Sequence, residues 1–187
     1  MLAPSIIRRQ CGFNLVEMVV AIAILAILAA VAVPSFTQMI QNSRIRTAAE
    51  SIQNGLQVAR AEAVKRNSRV KFQLNADSGW IVCVVASAGD NCVNDPENED
   101  YIQGRSTAEG STADVTATVI PAGNTTVVFT GLGLVDLNVP RFERVDVDMS
   151  PSVMSPADSR DLRILFGAGG SIRMCNPNLG GEDPRAC

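Results

Sequence analysis

Residues 13–33 read FNLVEMVVAIAILAILAAVAV, and this stretch decides the architecture. Only Asn14 and Glu17 are polar among its 21 residues. A run of about 20 apolar residues is long enough to cross a bilayer as a helix. Arg8 and Arg9 precede the run, and no acidic residue comes before Glu17. The positive-inside rule therefore keeps the first residues cytoplasmic and sends the C-terminal part outward. A cleavable secretory signal would share these features, and Ala30-Val31-Ala32 offers a small-x-small cleavage site. A plain membrane anchor would share them too, whereas a buried core helix of this length is unusual. Glu17 separates these readings. A carboxylate inside the membrane is costly unless paired, so it marks a functional position that neither a signal peptide nor an anchor needs.

The residues around the start of the run carry a resemblance. Gly12-Phe13-Asn14-Leu15-Val16-Glu17-Met18 resembles the prepilin peptidase site of type IV pilins and type II secretion pseudopilins: a short basic leader ending in Gly, then Phe, then Glu at the fifth position of the mature chain. Asn14 stands where those proteins most often have Thr. The segment Ala32-Val33-Pro34-Ser35-Phe36 is similar to theirs as well. The resemblance implies a leader over residues 1–12, cleavage between Gly12 and Phe13, and N-methylation of the freed amine of Phe13. It also implies that Glu17 pairs with the N-terminal amine of a neighbouring subunit during assembly. Glu17 lies one helical turn from Phe13. Pairing would relieve the cost of the buried charge and set register between subunits rather than add much net stability.

The apolar helix is expected over residues 13–34, where Pro34 lacks an N–H and predicts a break or kink. In similar proteins a proline here marks a segment that melts during assembly. Beyond it, Ile45, Ala48, Ala49, Ile52, Leu56, Ala59 and Ala63 recur at helical spacing among polar residues. This pattern predicts an amphipathic helix over residues 35–67 whose apolar stripe packs on a sheet, with Gly55 as a weak point. Arg60, Lys65, Arg66, Arg69 and Lys71 cluster near its end, where the helix dipole favours cations. Contact with DNA or lipid headgroups is the alternative use of that cluster.

After Asn67 the helical period is lost. Residues 69–74 alternate as a half-buried strand, Ala76-Asp77-Ser78-Gly79 is a turn, and residues 80–85 form a buried strand completing a hairpin. Residues 88–100 are polar and acidic; their spacing is not that of an EF-hand loop, so a solvated loop is expected. Further strands are expected at 114–120, 125–129, 144–149, 162–166 and 171–175. One long helix followed by strands is an α+β pattern, here a pilin-like helix on an antiparallel β-sheet head over residues 68–187. The head resembles the GspH/FimT group. Val127-Val128-Phe129-Thr130-Gly131-Leu132-Gly133 looks like its strand-then-glycine feature. Leu162-Arg163-Ile164-Leu165-Phe166-Gly167 followed by Ser171-Ile172-Arg173-Met174-Cys175 looks like its closing hairpin. Gly167-Ala168-Gly169-Gly170 lacks the Lys-Ser/Thr of a phosphate loop and is expected to be a hairpin turn.

There are five cysteines, and Cys11 falls in the leader. Four remain in an exported chain, which points to disulfides. Four cysteines allow three connectivities. Cys83–Cys92 with Cys175–Cys187 is the expected one, because each bond closes a short local loop. No C-x-x-C pair supports a zinc site.

The formal net charge is −3. Loss of the leader removes two arginines and no acid, leaving −5. That sign disfavours general binding to phosphate backbones. There is no histidine, so Ser/His/Asp and Cys/His catalytic sites are excluded. A non-enzyme without cofactor or metal is expected. The resemblance implies a minor type IV pilin that helps prime or cap pilus assembly in pilus biogenesis and twitching motility. A type II secretion pseudopilin of the GspH type and a pilus-borne DNA receptor for natural transformation are the alternatives. DNA receptors of this group carry an arginine-rich tail with a Gly-Arg-x-Arg pattern, absent here. The ending Asp183-Pro184-Arg185-Ala186-Cys187 looks more like the assembly-type minor pilins of the FimU kind. Implied partners are other minor pilins, the major pilin, the prepilin peptidase and the inner-membrane assembly platform. The implied location is the inner membrane with the head in the periplasm, and then a pilus or pseudopilus.

Overall fold

The structure, a computed structural model, describes residues 14–75, 78–87, 89–106, 109 and 113–187. The chain divides into two compact units between Thr37 and Gln38. One helix, α1 (Leu15–Arg66), contributes to both.

In the N-terminal unit the helix runs on through Pro34 without interruption. The break expected there is not seen. A single proline removes one N–H donor, and apolar helix formers flank it on both sides, so the remaining hydrogen bonds keep the helix intact. One turn later the Thr37 hydroxyl donates to the Val33 carbonyl at 3.1 Å.

In the C-terminal unit α1 becomes amphipathic. Ile45, Ala48, Ala49, Ile52, Leu56, Ala59 and Ala63 are buried along one face, together with Ser51 and Gly55. The helix stops in a capped turn. Asn67 adopts φ +46, the left-handed conformation that Asn tolerates better than most residues. The Ser68 N–H then donates to the Ala63 carbonyl at 3.2 Å, and the Asn67 N–H donates to Val64 at 3.2 Å. These two bonds are the Schellman pairing that satisfies orphan carbonyls at a helix end.

Eight strands follow: β1 (Val70–Leu74), β2 (Trp80–Val84), β3 (Tyr101–Arg105), β4 (Val115–Ile120), β5 (Thr126–Phe129), β6 (Arg144–Met149), β7 (Leu162–Phe166) and β8 (Ile172–Cys175). They form two four-stranded antiparallel sheets, ordered β3-β2-β1-β5 and β4-β6-β7-β8. Seven of these strands lie within a residue of their expected limits, and the 80–85 and 171–175 segments pair in the expected hairpins. β3 was not expected. It follows the acidic stretch and lacks apolar alternation, and Gly104 and a register shift at Val82/Cys83 mark it as an irregular edge strand.

Both sheets share one core with the helix. Val70, Phe72, Trp80, Val82, Val127 and Phe129 come from the first sheet, and Val145, Val147, Met149 and Ile164 from the second. In β6 the alternation is complete: Val145, Val147 and Met149 point inward, and Arg144, Asp146 and Asp148 point outward. A chain of rings joins the sheets. Trp80 stacks on Phe72 at 5.9 Å, Phe72 meets Phe142 edge-on at 6.3 Å, and Phe142 meets Phe166 edge-on at 5.3 Å. A second, smaller cluster of Cys83, Val85 and Val128 is packed by Cys92 and Val139.

Candidate functional site

The first functional element is the bare helix. Every residue from 14 to 40 is exposed in the isolated chain, including Glu17 in the first turn. Leu15, Ile27 and Val31 are 76, 68 and 75% exposed. The helix has a window of mean hydropathy 2.8 with none of it covered. A surface this apolar is stable only in lipid or against other chains. Gly12, Phe13 and Cys11 lie outside the described residues.

The second element is the seat of the helix on the first sheet. Ser51 and Gly55 are one turn apart and form a notch that accepts Trp80. The indole Nε1 donates to Ser51 Oγ at 2.9 Å within the core. A Cβ at position 55 would lie 2.8 Å from both Phe72 Cε2 and Trp80 Cδ2. Gly55 is thus a close-approach residue, not the weak point that helix propensity implied.

The third element is the joint between the helix end and both sheets. After β5 the chain turns at 130–134 and comes back alongside it; Thr130 N–H donates to Leu134 and Asp136 N–H to Val128. The Val135 N–H donates to Ala168, in the β7–β8 turn, at 3.1 Å. Three glycines permit this convergence. A side chain on Gly131 would strike the backbone of Asn67, one on Gly133 would strike Val64, and one on Gly170 would lie 2.2 Å from the Gly133 carbonyl oxygen. Arg60 Nε donates to that same carbonyl at 3.1 Å. The two glycine motifs quoted from the sequence therefore meet each other and the last turns of α1. Gly167-Ala168-Gly169-Gly170 is a hairpin turn, as its context implied.

The basic cluster makes internal contacts, while the side chains of Lys65 and Arg69 stay exposed. Lys65 and Arg66 both bind Glu62, at 2.9 and 2.8 Å, and hold its carboxyl below the ordinary range. Arg69 lies 3.6 Å from Asp136. Lys71 is buried, and its ammonium donates to the carbonyl of Asp90. Burial lowers its pKa, while the Asp90 carboxylate acts in the opposite sense. Position 71 pairs with Cys83 across β1 and β2, so this lysine secures the loop that the Cys83–Cys92 bond closes.

The second disulfide joins Cys175 at the end of β8 to the terminal Cys187. Asn176 N–H donates to the Arg185 carbonyl at 2.7 Å, and Cys187 N–H donates to Asn176 at 3.3 Å. The Arg185 guanidinium binds Asp183 through two hydrogen bonds and lowers its pKa to about 2. The tail is therefore a pinned loop whose only guanidinium is occupied.

One carboxyl pair was not visible in the sequence. Asp148 on β6 and Asp161 before β7 contact each other beside Ser159, whose hydroxyl donates to Asp148. Burial, then the contact with Asp161, raises the pKa of Asp148. Burial also acts upward on Asp161, but hydrogen bonds from Asp148, Ser159 and Asn178 outweigh it and lower its pKa. Asp161 Oδ1 is buried and has no hydrogen-bond partner among the described residues. The neighbouring 158–160 segment is clipped to α1 by Asn42, which donates to the Asp158 carbonyl at 3.2 Å and accepts from Arg160 N–H at 2.8 Å.

A bare apolar helix bearing one carboxylate, continued into a stripe that seats two antiparallel sheets, defines a pilin-like subunit: a structural component, not an enzyme. The chain belongs to the family described as Type II transport protein GspH, whose model matches residues 48–185. The prokaryotic N-terminal methylation motif matches residues 7–33, spanning Gly12, Phe13 and Glu17. Two crystal structures of the type IV minor pilin FimU from Pseudomonas aeruginosa are similar. They have TM-scores of 0.49 each and identities of 16 and 17%; they cover 71 and 72% of this chain and 97 and 92% of theirs. The minor pseudopilin EpsH from the type 2 secretion system of Vibrio cholerae has a TM-score of 0.47 at 13% identity, covering 73% of this chain and 99% of its own. No match was found among curated proteins. Membrane anchoring by the apolar helix and assembly with other pilin-like subunits follow from the family.

Proposed function

We propose that this chain is a minor pilin that primes or caps the assembly of a type IV pilus, and so supports twitching motility. The observation that carries the filament role is the uncovered apolar helix with Glu17 in its first turn, joined to a head with a closed core of its own. Residues 1–12 are the leader, removed between Gly12 and Phe13, and the new amine of Phe13 is methylated. Residues 13–34 hold the subunit in the inner membrane and later in the filament core, residues 35–67 seat the head, and residues 68–187 project into the periplasm. During assembly Glu17 pairs with the N-terminal amine of a neighbour. Its partners are other minor pilins, the major pilin, the peptidase and the assembly platform. The pinned, cysteine-closed tail favours the pilus over DNA capture, because its single arginine is bound to Asp183.

The family description favours a second reading, a pseudopilin of a type II secretion system. One experiment tests both: a deletion strain scored for surface pili, twitching and secreted enzymes, complemented with the wild-type chain, Gly12→Ala and Glu17→Ala. Loss of pili and motility supports the minor pilin. Intact pili with enzymes retained in the periplasm supports the pseudopilin. Glu17→Ala is expected to be processed and inserted but not assembled, and entry into pili at wild-type levels would remove its assigned role.

A further inference from the structure

A cavity of about 380 Å³ opens on the head between the end of β7 and the segment entering β6. Its apolar part is Val135, Leu165 and Phe166, and its polar part is Arg141, Glu143 and Arg144. The two guanidiniums are under-used. Arg141 is 25% exposed, and its one ionic neighbour among the described residues, Glu143, is 3.8 Å away, beyond hydrogen-bond distance. Arg144 Nε lies 3.5 Å from Asp146 without hydrogen-bonding to it. Asp146 is instead committed to Arg163 through bonds of 2.6 and 3.1 Å. Two partly buried guanidiniums with unspent N–H donors face an apolar floor, a combination suited to a planar carboxylate attached to an apolar group.

We propose that this cavity binds a carboxylate-bearing, apolar segment of a neighbouring pilin-like subunit. The inference rests on the filament reading above, which supplies the neighbouring chains. Charge selects the class of ligand. The lining carries one net positive charge, matched by a single carboxylate, and Glu143 repels polyanions such as a phosphate backbone. The floor suits an apolar side chain, and Phe166 is held from behind by its edge-on contact with Phe142. The segment that supplies Val135 also presents Leu132, Leu134 and Leu137, exposed by 79, 44 and 54%. A docking peptide would cover these leucines while its acid enters the cavity.

The test uses the full chain in detergent micelles, labelled with ¹⁵N-arginine, with the side-chain Nε–H resonances followed by NMR. The probes are N-acetyl-leucine, its uncharged amide and inorganic phosphate. N-acetyl-leucine is expected to shift Arg141 and Arg144 saturably, with no saturable shift from the amide. Arg141→Gln should weaken this binding about tenfold. Glu143→Gln, at a side chain 70% exposed and therefore safe for folding, should tighten it about two- to threefold. Equal response to the amide, tighter binding of phosphate, or no saturable shift would each overturn the proposal. If binding fails while Glu17→Ala still blocks assembly, the cavity assignment falls and the filament role stands. If binding holds while Glu17→Ala assembles normally, the filament role is the one at fault.

Discussion

Replacing Gly55 with alanine sets two known effects against each other. In an exposed helix the change stabilises by about 1 kcal/mol. Here the new methyl would sit 2.8 Å from a carbon of Phe72 and 2.8 Å from a carbon of Trp80, whereas carbon contacts settle at about 3.5–4.0 Å. Both rings must retreat, and neither is free to. Phe72 is fully buried between Trp80 and Phe142. Trp80 is 2% exposed and tethered to Ser51. Overpacking of this kind costs about 1–3 kcal/mol, and losing the indole hydrogen bond would add about 1 kcal/mol. The net expectation is a destabilisation of about 1–2 kcal/mol, a fall in Tm of roughly 2–8 °C for a chain of this size. The assay is urea unfolding of the full chain in micelles with its disulfides intact. It is read by the emission of Trp80, the only tryptophan in the sequence, so the probe sits in the contact under test. In a Trp80→Leu background, followed by far-UV circular dichroism because the emission probe is gone, the clash with the indole is removed and the cost of Gly55→Ala should fall, the 2.8 Å approach to Phe72 remaining. A Gly55→Ala protein that gains the full helix-propensity increment, with tryptophan emission unchanged, would refute the notch.

Gly170→Ala should be worse, because φ +74 strains an alanine and its Cβ would meet the Gly133 carbonyl oxygen at 2.2 Å; a loss of more than about 2 kcal/mol is expected in a thermal melt. Asp148→Asn should raise Tm by a few degrees at neutral pH, because the amide keeps a donor for Asp161 and removes a repelling charge. The sign follows from the raised pKa of Asp148. Its contribution is fully present below the unfolded carboxyl value and is lost as pH rises through the folded value. Asp161, with its lowered pKa, contributes in the opposite sense, above the ordinary range. The advantage of Asp148→Asn should therefore shrink toward about pH 4, and an advantage that grew on acidification would contradict the raised pKa of Asp148.

The elements were largely legible because their signals are local. The apolar run and its lone Glu17 need no tertiary information, nor does the alternation in β6 or the helical spacing from Ile45 to Ala63. The cysteine loops are equally local, and the expected pairs are the bonded ones. What escaped is whatever depends on residues far apart in the chain. Gly55 looked like a defect because helix propensity knows nothing of Trp80. Lys71 looked like part of a basic surface, since nothing in strand alternation shows that a neighbouring loop folds over it. β3 follows an acidic stretch and owes its place to pairing with β2 rather than to its own composition. Asp148 and Asp161 meet only because β6 and β7 lie side by side, and the Arg141–Arg144 cavity needs the same two strands plus Val135 from a distant turn.

The shared core also constrains how the subunit is made. A chain exported from its N-terminus delivers the helix stripe, from Ile45 to Ala63, long before the second sheet exists. Ile164 in β7 is part of the same packed cluster, so about 100 further residues must cross the membrane before the stripe is covered. Until then, on the proposed topology, a newborn subunit displays two sticky surfaces, one held by lipid and one facing water. The second must be shielded by the first hairpin or by a holding factor, and a ribosome stalled before β7 would leave an anchored, unfinished head competing for its neighbours' partners.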